Sequence, residues 1–323
     1  MARNIAVDAG KYDTKAVLQN PDGSQKKALF RTKASLALDG FIARPDETHY
    51  VCFDGAEYKV GSEADDSSVD YNTSKMTELH RIATYTAISC LIEGGDEINL
   101  CIGCPISIYS NKEARIRYRD YIAKSGQEVT IAVDGTEKTF SFRKVMVCAE
   151  GSGVLYLNIE EFKDSVIGII DIGGLNINCS IYEKLRVVPK LSFTDELGSN
   201  RLMQDIRNRL ESEFATAGLE DYLLNSLKEK GYLPGKYRER SAEIYAEMKE
   251  QQVERILTAC EKAGWKLDFI RLVFVGGSSI FLQNEIRSIA IRKRMLDVDL
   301  SYVTETGSFL NAFGFLFYLL TFA

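Results

Sequence analysis

Ile5-Ala6-Val7-Asp8-Ala9-Gly10 and Ile169-Ile170-Asp171-Ile172-Gly173-Gly174 lie half a chain apart and read alike. Each is a short apolar, β-prone run that ends in Asp-x-Gly. A second alternating run follows each of them: Thr14 to Leu18 after the first, Ile177 to Tyr182 after the second. Short apolar runs bounded by turn residues read as strands, so both stretches are strand–turn–strand hairpins. Their repetition predicts an α/β molecule of two related lobes facing one another. An Asp-x-Gly at a strand end also has a chemical use. Glycine lets the chain turn tightly and exposes backbone N–H groups suited to phosphate oxygens. The aspartate can hold a water of hydrated Mg2+, an ion that keeps several waters and takes few carboxylates. Two such turns on opposite walls would clamp a nucleotide polyphosphate and its metal, with Lys15 adding a cation after the first turn.

Working outward, Asn20-Pro21-Asp22-Gly23 is a strong turn signal, and Ala28 to Thr32 is expected as a third strand of an antiparallel meander. Shorter strands are expected at Tyr50 to Phe53 and Glu57 to Val60, among polar loops spanning 35–70. Apolar residues at helical spacing (Leu79, Ile82, Ala83, Ile88, Leu91) predict a helix over Met76 to Glu93. A strand at Ile98 to Ile102 and a helix over Asn111 to Lys124, capped by Ser110 or Asn111, come next. Strands at Glu128 to Val133 and Phe140 to Cys148 complete the first half. In the second half, a strand is expected over Arg186 to Phe193. Helices follow over Leu197 to Phe214, Leu219 to Lys230 and Tyr237 to Ala263. The strand Leu272 to Val275 then enters Gly276-Gly277-Ser278-Ser279 and a helix through Ile280 to Ile289. A helix N-terminus at that turn would face a phosphate or nucleoside.

Composition narrows the function classes. The chain has 323 residues, 45% of them hydrophobic and 27% charged, the balance of a soluble globular protein of about two domains. Its 40 Lys and Arg against 46 Asp and Glu give a net charge of −6, which argues against direct nucleic-acid binding. Basic clusters at Arg115, Arg117 and Arg119 and at Arg292, Lys293 and Arg294 read as solvated faces. Seven cysteines in no paired framework fit reduced thiols in the cytoplasm. Cys101 and Cys104 form a Cys-x-x-Cys without the surroundings of a redox pair, and two histidines are too few for a zinc site. Asp8 interrupts the first apolar run too early for a signal peptide. Phe309 to Ala323 is very apolar, yet shorter than the roughly 20 residues that span a bilayer. It is expected as a last helix packed into the core, with no membrane contact.

In order and spacing these elements resemble the actin-like ATPase superfamily, and within it the plasmid-segregation actins of the ParM and Alp type. Asp8-Ala9-Gly10-Lys11-Tyr12-Asp13-Thr14-Lys15 is similar to the family's first phosphate loop. Asp171-Ile172-Gly173-Gly174 resembles the second, and Gly276-Gly277-Ser278-Ser279 the adenosine motif. Ile102-Gly103-Cys104-Pro105 resembles a Gly-x-Pro turn at the end of a strand in the first domain. Ala149-Glu150-Gly151-Ser152-Gly153 resembles the first interdomain connection, and Thr306 to Phe315 the second. The resemblance implies one domain over 1–160 plus 305–323 and another over 161–304, with ATP and Mg2+ between them.

By the same resemblance, Asp8 and Asp171 would organise the Mg2+ waters. Gly10, Lys11, Thr14, Lys15, Gly173, Gly174 and Asn176 would surround the phosphates, and Gly276, Gly277 and Ser278 the nucleoside. Glu150 would orient the attacking water. Lys249 and Glu250 resemble the pair that borders adenine and ribose. Departures from the pattern are Leu175 and Asn176 after Gly174, Asn178 where relatives carry Asp, and Lys11-Tyr12 in the first loop. The implied function is nucleotide-dependent assembly into a homopolymer filament with ATP hydrolysis, GTP left open, driving plasmid segregation through a DNA-binding adaptor of ParR type. Alternatives on the same fold are a small-molecule kinase and a membrane-associated scaffold of the FtsA or MreB kind.

Overall fold

The computed structural model describes residues 2–37, 48–65, 75–216, 218–295 and 297–322. Part of the polar stretch expected between strands over 35–70 lies outside the described residues.

The first half builds one mixed sheet from β1 (Arg3–Ala9), β2 (Asp13–Gln19), β3 (Gln25–Arg31), β4 (Ala34–Leu36), β5 (Thr48–Phe53), β6 (Ala56–Gly61), β7 (Asp96–Cys104), β8 (Val129–Val133) and β9 (Thr136–Ala149). Their spatial order is β3-β2-β1-β7-β9-β8-β5-β6-β4. β1 pairs antiparallel with β2 and parallel with β7. The second sheet takes β10 (Val166–Ile172), β11 (Ile177–Glu183), β12 (Arg186–Val187), β13 (Phe193–Asp195), β14 (Arg271–Val275) and β15 (Asp297–Asp299). It repeats the same grammar: β10 pairs antiparallel with β11 and parallel with β14.

The helices flank these sheets. In the first half they are α1 (Glu78–Leu91), α2 (Ile106–Tyr109), α3 (Lys112–Ile122), α4 (Gly153–Leu157) and α5 (Ile159–Phe162). The second half supplies α6 (Ser199–Glu213), α7 (Asp221–Lys230), α8 (Arg238–Lys262), α9 (Gly277–Phe281), α10 (Gln283–Arg292), α11 (Ser301–Thr306) and α12 (Leu310–Phe322). The side chain of Asn111 caps α3 by accepting from the Ala114 N–H at 3.0 Å.

Both central strands are covered on both faces, which is why they read as unbroken apolar runs. Side chains alternate across a strand. Ile5 and Val7 therefore enter the core under α1, while Ala6 enters a second cluster with Phe315, Leu316 and Leu319 of α12. In β10, Ile170 and Ile172 face one core and Ile167 and Ile169 another. The last helix thus belongs to the first sheet, against β1 and β7. Its Phe317, Leu320 and Phe322 remain exposed. Among the described residues no helix is long and apolar enough to cross a membrane.

Two expected elements differ. Arg186 to Phe193 is not one strand: Pro189 opens a 3-10 turn over Pro189–Leu191 that separates β12 from β13, since proline offers no N–H to the ladder. The helix expected through Ile280 to Ile289 is two, broken at Leu282 between α9 and α10. Cys101 and Cys104 face opposite sides of β7, in two different cores. Burial pushes both thiols well above the ordinary value, so this Cys-x-x-Cys is not a redox pair.

Candidate functional site

The β1–β2 and β10–β11 turns are built the same way. The N–H of Gly10 donates to the Asp13 carbonyl at 3.0 Å, and that of Gly173 to the Asn176 carbonyl at 3.0 Å. A Cβ on Gly10 would stand 2.8 Å from the Asp13 oxygen, and one on Gly173 would stand 2.9 Å from the Asn176 oxygen. Both turns therefore require glycine for the same steric reason. These two N–H groups close their own turns, so phosphate donors would come from the N–H groups that follow them.

The turns open onto one cleft of about 310 Å3, at the lower end of the roughly 300–1,000 Å3 common for small-molecule sites. Asp8, Gly10, Lys11, Lys15, Glu150, Asp171, Gly173, Gly174, Asn176, Gly276, Gly277 and Ser278 all line it. The third motif is wired to the second turn. Ser278 Oγ donates to the Gly173 carbonyl at 3.0 Å and meets Ser199 Oγ at 2.8 Å. Gly276 has φ +86°, and a Cβ there would lie 2.3 Å from Asp171 Oδ1. Only glycine lets the end of β14 pass beside that carboxylate.

Three expected residues fall elsewhere. Thr14 is buried behind its strand, Oγ1 against Thr32 Oγ1 at 2.8 Å. Lys249 and Glu250 do not line the cleft. Lys249 pairs with Glu285 at 3.0 Å and lies over the Phe281 ring, while Glu250 pairs with Arg292 on the outer face of α8. Instead Lys228 of α7 reaches the cleft, beside Met203, Phe281 and Leu310. In the second basic cluster, Arg292 and Lys293 are both paired with α8 carboxylates.

The floor is acidic and nearly dry. Asp8, Glu150 and Asp171 are each at most 7% exposed. Asn311, at the start of α12, ties two of them: its Nδ2 lies 3.5 Å from Asp8 Oδ2 and 3.3 Å from Asp171 Oδ2, and its Oδ1 accepts from the Gly151 N–H at 3.2 Å. Burial, reinforced by the charges of Glu150 and Asp8, pushes the Asp171 carboxyl up to about 7. Glu150 is held from both lobes. Asn178 Nδ2 of β11 donates to its Oε2 at 2.7 Å, and the ammonium of Lys75 pairs with its Oε1.

Neither Lys75, Asn311, Lys228 nor the apolar wall was expected from sequence as a site residue. The one available signal for Lys75 was a lysine set directly before the apolar face of a helix. Among the described residues no group of three or more His, Cys, Asp or Glu is close enough to hold a metal directly. The crowding of three buried carboxylates, which raises Asp171, fits a hydrated cation reached through waters.

Comparison with known proteins agrees with this architecture. Residues 6–153 match the family model described as the N-terminal domain of actin like proteins. The chain is similar to the Alp12 filament structure, with TM-score 0.70 and 29% identity over 99% of this chain and 98% of that one. An archaeal actin homologue in complex with ADP gives TM-score 0.74 at 17% identity, covering 98% of each chain. A 15-stranded ParM filament from Clostridium botulinum gives 0.76 at 18% identity, covering 99% of each. No curated protein sequence matches the chain. The chain thus has the actin fold along its whole length, and its residues 6–153 match an actin-like N-terminal domain.

Proposed function

We propose that this protein is a filament-forming nucleotide hydrolase that binds ATP with Mg2+ between its lobes and serves plasmid segregation through a DNA-bound adaptor. The carrying observation is the pair of matched turns, Gly10 to Asp13 and Gly173 to Asn176, opening on one cleft with Asp8 and Asp171 joined through Asn311. The filament relatives at full coverage support the assembly half of this reading.

Asp8 and Asp171 would hold the metal through its waters, and the bound ion would supply charge neutralisation for the phosphates. Lys15, beside the first turn, would contribute a further cation. Met203, Phe281 and Leu310 offer an apolar wall for the base, with Lys228 at its edge. Glu150, with both carboxylate oxygens held, would accept a hydrogen bond from the attacking water and fix its approach. Phosphoryl transfer depends mainly on such positioning and electrostatics. Binding that joins the lobes favours a closed form suited to head-to-tail contacts, and a heterologous contact that does not close on itself gives a helical filament. Loss of the γ-phosphate removes a bridge between the two turns and loosens the closed form.

Light scattering and phosphate release with ATP, GTP and ADP, followed by negative-stain microscopy, test the reading. Glu150→Ala is expected to slow phosphate release by about 100-fold or more while ATP-dependent assembly persists, giving long-lived filaments. Asp171→Ala is expected to abolish nucleotide-dependent assembly. Unchanged turnover in the first variant, or normal filaments in the second, contradicts the corresponding role.

A further inference from the structure

Lys75 is 0% exposed, an unusual place for an ammonium group. It stands three residues before the start of α1, which packs against β1 and β2, and its side chain reaches Glu150 and the end of β1. There it makes two contacts: Nζ pairs with Glu150 Oε1 and donates to the carbonyl of Ala9 at the end of β1. Burying a charge costs several kcal/mol unless a partner offsets it. Here burial would push the lysine down, but the charges of Glu150 and Asp8 outweigh it and hold the group above its ordinary value. His80 on α1, also buried, is pushed well below its ordinary value by burial and by Lys75. The local cation is therefore the lysine.

A surface helix needs no such residue, and an apolar side chain would fill this space at lower cost. What Lys75 supplies is geometry. A glutamate side chain has three rotatable bonds, and one hydrogen bond from Asn178 leaves its carboxylate free to swing. The second donor, on the opposite oxygen, fixes the carboxylate between the two lobes. The bond to the Ala9 carbonyl fixes that donor in turn against the strand that delivers the first turn. We infer that Lys75 is a positioning residue for hydrolysis: it acts through Glu150, aiming the carboxylate at the water and coupling that aim to the β1 turn. This rests on the proposed role of Glu150.

The test compares four full-length proteins: wild type, Lys75→Met, Glu150→Gln and the double variant. The readouts are single-turnover phosphate release and the affinity for a fluorescent ATP analogue with Mg2+. Misplacing a reacting group by an ångström costs on the order of 100-fold, so Lys75→Met is expected to lower the hydrolysis rate by about 10-fold or more. ATP affinity is expected to stay within about 3-fold, a split that general destabilisation would not produce. In the Glu150→Gln background, adding Lys75→Met is expected to change the rate by less than about 2-fold, because there is no carboxylate left to aim. Wild-type turnover in Lys75→Met overturns the inference. So does a double variant slower than Glu150→Gln by the full Lys75→Met factor, which would mean that the ammonium acts independently. Should Lys75→Met fail to fold because Glu150 is left unpaired, the double variant removes both charges together. Its match to Glu150→Gln, or its failure to match, then decides. Absence of turnover in the wild type would instead remove the nucleotide-hydrolase reading itself.

Discussion

Asp171 sets function against stability in a single side chain. It sits at most 7% exposed between two other carboxylates, and burial with those charges raises it from 3.8 to about 7. The folded protein therefore keeps this proton over a pH range in which the unfolded chain has released it. The linked stability is fully present below about 3.8 and is lost as pH rises through about 7. Asp171→Asn removes the penalty. We expect the melting temperature of the nucleotide-free variant to rise relative to wild type between pH 5 and pH 8, measured by calorimetry without divalent ions. Adding Mg2+ and ATP is expected to stabilise wild type and leave the variant unmoved. A wild-type advantage at pH 8 without nucleotide would contradict this.

Asp8 and Asp171 were legible in the sequence because a carboxylate followed by glycine at a strand end is a local pattern. Lys75 and Asn311 were not. They meet their partners only after the chain returns from 75 and 303 positions away in sequence, and a lysine or asparagine carries no local mark of such a destination. Asn178 departs from the aspartate of the family pattern that the chain resembles. In the structure it is a donor to Glu150, a bond that an ionised aspartate could not make.

Among the elements, α4 and α12 cross at a pair of glycines. A Cβ on Gly153 of α4 would stand 2.6 Å from Asn311 Cα, and one on Gly314 of α12 would stand 2.2 Å from the Gly153 carbonyl. Neither helix can retreat freely, since Phe315 beside that crossing already packs against Gly103, whose own Cβ would lie 2.7 Å from its ring. Gly314→Ala is expected to destabilise the protein by about 1–3 kcal/mol, read from a urea titration. A value within 0.5 kcal/mol, the scatter of neutral surface changes, would show that the crossing yields. The central strands β1 and β10 were readable because burial on both faces leaves unbroken apolar runs, and the helices because an apolar face repeats at helical spacing. The Arg186 to Phe193 segment misled because alternation persisted across Pro189, where the backbone could no longer pair. Lys249 and Glu250 misled because a Lys-Glu pair on a helix is common. The helix that brings a lysine to the cleft is α7, whose pattern is no more distinctive than that of α8.

Across the whole molecule, the lobes touch at the cleft mouth through Tyr12. Its side chain lies against Gly174 so closely that a Cβ there would be 2.8 Å from Tyr12 Cβ. The Arg31 guanidinium stacks 3.0 Å from the centre of the ring and is itself paired with Asp13 at 3.5 Å. Such stacking is worth about 0.5–2 kcal/mol. Tyr12→Ala is therefore expected to speed release of a fluorescent ADP analogue by roughly 2- to 10-fold in a stopped-flow displacement experiment, with Arg31→Ala in the same direction. Unchanged release in both would mean that this contact does not restrain opening.

The proposed function requires two matched turns gripping one triphosphate. A crystal structure of the protein grown with Mg2+ and a non-hydrolysable ATP analogue tests it most directly. The expected density places the phosphates between the Gly10 and Gly173 turns, the metal waters against Asp8 and Asp171, and the base against Met203 and Phe281. A cleft that stays empty under saturating analogue, or phosphates bound away from both turns, would contradict it.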